Sequence, residues 1–260
     1  MHVLLIHEEG LSPPELGATR DMLVMTGMSV VTMASAPPSD RQAGALFTLQ
    51  SADPDSNPVY GVAGPVGDAL PQVMQQGLQA QLCMVLSQDA VGRGNAPAAG
   101  TALAAARLRL PVLNVRYPER GSSAPDAWIC DLATEVAAFA LVRPMPAAAM
   151  LVLTAPPRLL ARLPVLMPVL MPMEGVPPAP LAGQSAAELR PQRATERDAL
   201  AQGQITLTPV YLGAGQAADV ADLAQWAQAL AHALHSRLSG ATLRCACCAP
   251  SLLPDISNSH

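Results

Sequence analysis

Aromatic side chains are scarce in this sequence, at 3% of residues. A buried core must then be built from Leu, Val, Ala and Met, and the ring platforms on which single-stranded nucleic acids stack are missing. Charge is scarce too: 13% of residues are charged, the formal net charge is −5, and no basic stripe occurs. That excludes the cationic footprint of a protein that binds nucleic-acid polymers. A mononucleotide is not excluded, because a metal ion can supply the positive charge. No uncharged apolar run reaches the roughly 18 residues of a membrane span, since Leu163 to Met173 is broken by Pro164, Pro168 and Pro172. The opening MHVLLIHEEG has too short an apolar run, Val3 to Ile6, and no basic segment before it, so it does not read as a signal peptide. These features predict a soluble, cytoplasmic protein without a membrane partner. A regular cysteine framework is also lacking. Cys83 and Cys130 are isolated, and Cys245, Cys247 and Cys248 crowd the C-terminus. An odd count without spacing is a poor disulfide pattern. His232 and His235 with those last cysteines do not match a structural zinc site.

The 260 residues are half hydrophobic and include 26 prolines, enough for a large buried core with many interruptions. Val3 to Ile6 is a short continuous apolar run, suited to a strand buried on both faces. A polar cluster follows at His7 to Gly10. Pro13 and Pro14 then open a helical pattern through Leu16, Met22, Leu23 and Met25, with Gly27 as its stop. Val30 to Met33 is the next strand. The alternation continues with strands at Val59–Val62, Leu82–Leu86, Pro111–Val115 and Met150–Leu153, and with helices at Asp68–Leu78, Thr101–Leu108 and Asp131–Val142. This predicts a Rossmann-like α/β fold, a mostly parallel, doubly wound sheet over residues 1–156. From 157 to 204 the chain is Pro-rich and carries the near-repeat PVLMPVLMP, which reads as an extended arm. Ile205–Thr208 restores a strand, and Asp219–Leu238 is an amphipathic helix that completes the same domain at residue 240. Residues 241–260 read as a loose tail.

In this order and spacing the pieces resemble the SurE family of 5′/3′-nucleotidases. HEEG at 7–10 falls where that family carries N-D-D-G. Gly64-Pro65-Val66-Gly67-Asp68-Ala69 resembles its G-T-P-A-D-C, and Leu82 to Thr101 resembles the strand and loop that run into S-G-T. Ala102 to Val115 resembles the helix and I-P-S-I-A, and Leu151 to Pro156 resembles L-N-V-N-V-P. Leu200, Gly203 and Ile205 to Pro209 resemble L-x-x-G-Y-V-S-I-T-P. The resemblance covers roughly residues 1–240. It implies an α/β sandwich with an arm used in oligomer contacts, a homodimer or homotetramer, and hydrolysis of nucleoside monophosphates by a water activated on one divalent cation, Mg, Mn or Ca.

The residues at the implied site are partly changed. Glu8 and Glu9 stand at the two carboxylate positions, so charge and oxygen-donor chemistry persist. Each is one methylene longer, carrying its oxygens roughly 1.5 Å further out. A solvated carboxylate pair beside a helix start is the alternative account of the same residues. His7 replaces an asparagine, either as an added ligand or general acid or as a loop imidazole without duty. The serine ligand corresponds to Ser39 only loosely: if Asp40-Arg41 match the family's D-R, the position falls near Gln42 or Ala43. Asp89 is the counterpart of the asparagine ligand, and Asn95 is the more distant alternative. The S-G-T motif becomes Ala99-Gly100-Thr101, which loses one phosphate-binding hydroxyl but keeps Gly100 and the helix N–H groups from Thr101 as an anion seat. Two readings follow: a working SurE-like phosphomonoesterase, or a catalytically degenerate SurE-fold protein that binds a ligand or serves as an oligomeric scaffold. No Gly-x-Ser-x-Gly elbow or Walker A loop offers a third chemistry.

Overall fold

Four consecutive aliphatic side chains, Val3 to Ile6, are each at most 1% exposed. They form the middle of β1 (His2–His7), which lies near the centre of a single sheet. A strand without polar alternation is stable only where both faces are covered, and β1 has parallel neighbours on both sides. A computed structural model of the chain describes residues 2–7, 13–36, 46–49, 59–63, 66–75, 80–89, 96–118, 127–146, 149–156, 161–169, 196–211 and 217–240.

The chain leaves β1 through α1 (Pro13–Met25) and returns in β2 (Ser29–Ala36). The stop predicted at Gly27 is a left-handed cap, with φ +82° there. The Gly27 N–H bonds the Val24 carbonyl and the Met28 N–H bonds the Leu23 carbonyl, while Leu23 and Met28 are both buried. This pairing satisfies the orphan carbonyls of the last turn. Next come β3 (Leu46–Leu49), β4 (Val59–Ala63), α2 (Val66–Gln75), β5 (Leu82–Asp89), α3 (Ala96–Arg107), β6 (Val112–Pro118), α4 (Ala127–Val142) and β7 (Ala149–Thr154). The rest is β8 (Ala161–Leu166), a helical segment α5 over 196–201, β9 (Gln204–Tyr211) and α6 (Ala217–Gly240).

The sheet order is β3-β4-β2-β1-β5-β6-β7-β9-β8. All neighbours are parallel except β3 with β4 and β7 with β9. The expected mostly parallel, doubly wound α/β sheet is therefore present. From β1 the chain winds outward to β2 and β4, then crosses back and winds the other way through β5, β6 and β7. The reversal lies between β1 and β5.

Helices cover both faces. Leu23 of α1, Ile129 and Leu132 of α4, and Leu223 and Trp226 of α6 pack with Leu5, Met84, Leu86 and Leu113 on one face. Val66 and Leu70 of α2 and Ala102 and Ala105 of α3 pack with Leu4, Ile6, Cys83 and Val85 on the other. No helix among the described residues is long and apolar enough to cross a membrane.

Two expectations need correction, and one strand lies outside them. The segment 157–204 is not wholly an excursion, because Ala161–Leu166 joins the sheet as β8, parallel to β9. Pro164 is tolerated there because β8 is an edge strand with a register break between Ala161 and Val165. The helix expected at Thr101–Leu108 begins five residues earlier, at Ala96. The antiparallel edge strand β3 was not anticipated at all.

Candidate functional site

In an open parallel sheet, ligands bind beyond the carboxyl ends of the strands where the winding reverses, since the crossovers there diverge and leave a crevice. Here that place is the shared end of β1 and β5. His7 closes β1 and pairs in register with Leu86, and β5 runs on to Asp89. The sequence reading ended this strand at Leu86. The structure extends it, so that Asp89 belongs to a strand end rather than to a loop and pairs in register with Pro118 of β6. Glu8 and Glu9 follow His7 directly in sequence but lie outside the described residues, as do Ser39 and Asn95. His7 is half-buried and lies on the same face as Val3 and Leu5, the side of α1 and α4.

Gly100 and Thr101 sit differently from the expectation. With α3 starting at Ala96 they occupy its second turn, past the four N–H groups that a helix start leaves unbonded. Thr101 is 2% exposed. A Cβ placed on Gly67 of α2 would come within 3.3 Å of both the Thr101 Cα and its Oγ1. Thr101 is thus a packing residue of the α2–α3 contact. The N–H groups that this helix start leaves unbonded are near Ala96, not at Thr101.

The strand registers reveal polar residues that sequence reasoning missed. Across β5, β6, β7 and β9, on the face of α2 and α3, the first row is Cys83, Val112, Met150 and Val210, all apolar. The next is Val85, Asn114, Val152 and Thr208. The next, where β7 ends, is Ser87, Arg116, Thr154 and Thr206, and β5 and β6 alone run on to a further pair, Asp89 and Pro118. Ser87, Asn114, Thr154, Thr206 and Thr208 are all buried. Ser87 Oγ donates to Asn114 Oδ1 at 3.2 Å. Thr206 and Thr208 both donate to Glu196 Oε1 at 3.3 Å, which ties α5 to the sheet. Asn114 Nδ2 and Thr154 Oγ1 are buried without a hydrogen-bond partner. The available signal was a polar residue inside each apolar run, Asn114 in VLNVRY and Thr154 in MLVLTA.

Other candidates fall away. His232 and His235 are exposed on α6, the cysteines at 245, 247 and 248 lie outside the described residues, and no group of three metal-ligating side chains occurs among the described ones. An apolar groove between β8, β9 and α6, lined by Leu166, Met167, Pro209, Ala224 and Ala227, has no ionisable side chain in its wall. It lies at the far edge of the sheet and has no part in this site.

No family model matches the sequence, and no curated protein does. The structure is similar to the solved crystal structure of the Sure protein from Aquifex aeolicus, with a TM-score of 0.55 over 84% of this chain and 96% of that one, at 15% identity. The fold is therefore SurE-like, as the ordered sequence motifs imply, in a strongly divergent sequence.

Proposed function

We propose that this chain is a metal-dependent phosphomonoesterase that hydrolyses nucleoside 5′- or 3′-monophosphates. The observation that carries the reading is the adjacency of β1 and β5 at the winding reversal. The sequence His7-Glu8-Glu9 leaves one strand and Asp89 ends its parallel neighbour. Three carboxylates issuing from adjoining strand ends make an oxygen-only donor set, which fits a hard divalent cation such as Mg, Mn or Ca. Glu8, Glu9 and Asp89 would hold the ion, with Ser39 as a further oxygen donor. When bound, the ion supplies polarisation of a phosphoryl oxygen. The chain's own tasks are to orient the phosphate and to manage protons. Unbonded N–H groups at the start of α3 suit the phosphate, and His7, closing β1, is the group able to protonate a leaving alkoxide near neutral pH. A homodimer or homotetramer in the cytoplasm is the assembly that accords with this reading.

One observation favours a second reading, a SurE-fold protein that binds a ligand without turning it over. Ala99 brings no hydroxyl, and Thr101 is buried where α3 packs closely against Gly67 of α2. Phosphate orientation, which carries much of phosphoryl transfer, then rests on backbone donors. Phosphate release from a panel of nucleoside monophosphates with Mg, Mn or Ca decides between them. The hydrolase reading expects metal-dependent release that falls to background in a folded Glu8→Ala, Glu9→Ala double variant. Equal release from wild type and variant with every metal overturns it in favour of the binding reading.

A further inference from the structure

Buried polar atoms in folded proteins are almost always hydrogen-bonded, and each exception calls for an account. Among the described residues the orphaned hydroxyls of Thr32 and Thr134 stand apart, on β2 and α4. Asn114 Nδ2 and Thr154 Oγ1 instead fall together at the carboxyl ends of β6 and β7, with Arg116 between them. Arg116 shares the face of Asn114, lies in register with Ser87 and Thr154, and is half-buried, and among the described residues no carboxylate is paired to it. Neighbouring parallel strands are about 4.8 Å apart, and alternate residues of one strand roughly 6–7 Å apart. The three side chains therefore rise from neighbouring register positions on one face, within reach of a common small ion.

We infer that Arg116, Asn114 and Thr154 form a seat for a tetrahedral oxyanion such as phosphate. The chemistry of the free atoms selects the ligand. A guanidinium offers five N–H donors and no acceptor, an amide nitrogen two donors, and a threonine hydroxyl one more. Ser87 fixes the amide by donating to Asn114 Oδ1, which leaves Nδ2 as the unbonded group. A set of donors with one fixed positive charge wants an acceptor-rich anion, and arginine matches phosphate geometry better than lysine does. The nearby carboxylate of Glu196 lies beyond β7 and is engaged by the hydroxyls of Thr206 and Thr208. The seat lies two strands from β1, roughly 10 Å along the sheet, apart from the carboxylates after His7, and Asp89 ends the strand between them.

The test is titration of the full, metal-free chain with inorganic phosphate by calorimetry in EDTA, at ionic strength held constant with sodium chloride. Wild type should bind saturably. Arg116→Gln, at a half-exposed position, should weaken binding at least tenfold. Asn114→Asp, which keeps the acceptor for Ser87 but replaces the donor with a negative charge, should abolish it. The Glu8→Ala, Glu9→Ala variant should bind phosphate as wild type does, so that loss of hydrolysis and loss of this seat are separate results. A wild type without saturable binding would mean that the orphaned atoms hold only water, and unchanged affinity in Arg116→Gln would place any bound phosphate elsewhere. Either result overturns the inference.

Discussion

The two faces of one sheet end differently. On the side of α1, α4 and α6 the last row to cross β5, β6, β7 and β9 is Leu86, Val115, Leu153 and Leu207, none of them measurably exposed. On the side of α2 and α3 the adjacent row is Ser87, Arg116, Thr154 and Thr206. On the apolar side the Trp226 indole N–H donates to the Arg143 carbonyl at 2.7 Å and the Tyr211 hydroxyl to Asp219 Oδ2 at 2.8 Å, while the buried hydroxyls of Thr32 and Thr134 stand singly without partners. On the polar side the two atoms without partners, Asn114 Nδ2 and Thr154 Oγ1, fall on neighbouring strands at one end of the sheet. Burying an unpaired polar group costs free energy, so nothing in folding favours that arrangement. Both faces bury an apolar core; what sets the α2–α3 side apart is that its two orphans lie together at the strand ends, beside Arg116.

Adjacent residues on opposite faces offer the sharpest way to break this contrast. Leu153→Ala should destabilise the protein by about 3 kcal/mol in urea unfolding, because a fully buried leucine leaves a cavity in the apolar row. A loss below about 1 kcal/mol would mean that this row is not the core that holds the sheet. Glu196→Ala leaves two threonine hydroxyls without their acceptor and should cost about 1–2 kcal/mol, measured the same way. Tyr211→Phe should cost about 1 kcal/mol near neutral pH. The hydrogen bond to Asp219, then burial, then the charge of Asp219 raise the tyrosine pKa above 10.0. Its contribution is therefore full below pH 10.0 and is lost as the pH climbs through the raised value. Thermal melts of wild type and Tyr211→Phe should converge in that alkaline range. Thr154→Val should be neutral or slightly stabilising, within about 0.5 kcal/mol, since the hydroxyl it removes has no partner. A clear loss would show that the hydroxyl is held by a bound group.

The reversal of the sheet and most of its strands were legible because Val3–Ile6, Leu82–Leu86 and Met150–Leu153 are unbroken apolar runs and Gly27 is a plain stop. The same runs concealed the polar rows. With both faces buried, a strand shows no alternation of period two, and only the register between strands brings Ser87, Arg116, Thr154 and Thr206 into line. The start of α3 was misplaced because Gly100 reads as a break, although a helix tolerates one glycine at a cost near 1 kcal/mol and Pro97 suits a first turn. β3 escaped because four residues are too few for a periodic signal. Of the candidate site, the strand ends were readable from HEEG and Ser87-Gln88-Asp89. The packing of Thr101 on Gly67 was not, because it depends on how two helices meet.

The proline in β8 bears on how the molecule behaves in concentrated solution. An outermost strand offers its free amides as a template on which another chain can lay a strand, the first step of aggregation. Pro164 has no amide to offer, and the register break beside it interrupts the run of those that remain. Replacing Pro164 with valine would restore a continuous edge of Ala161 to Leu166, and the variant should precipitate at concentrations where the parent stays clear.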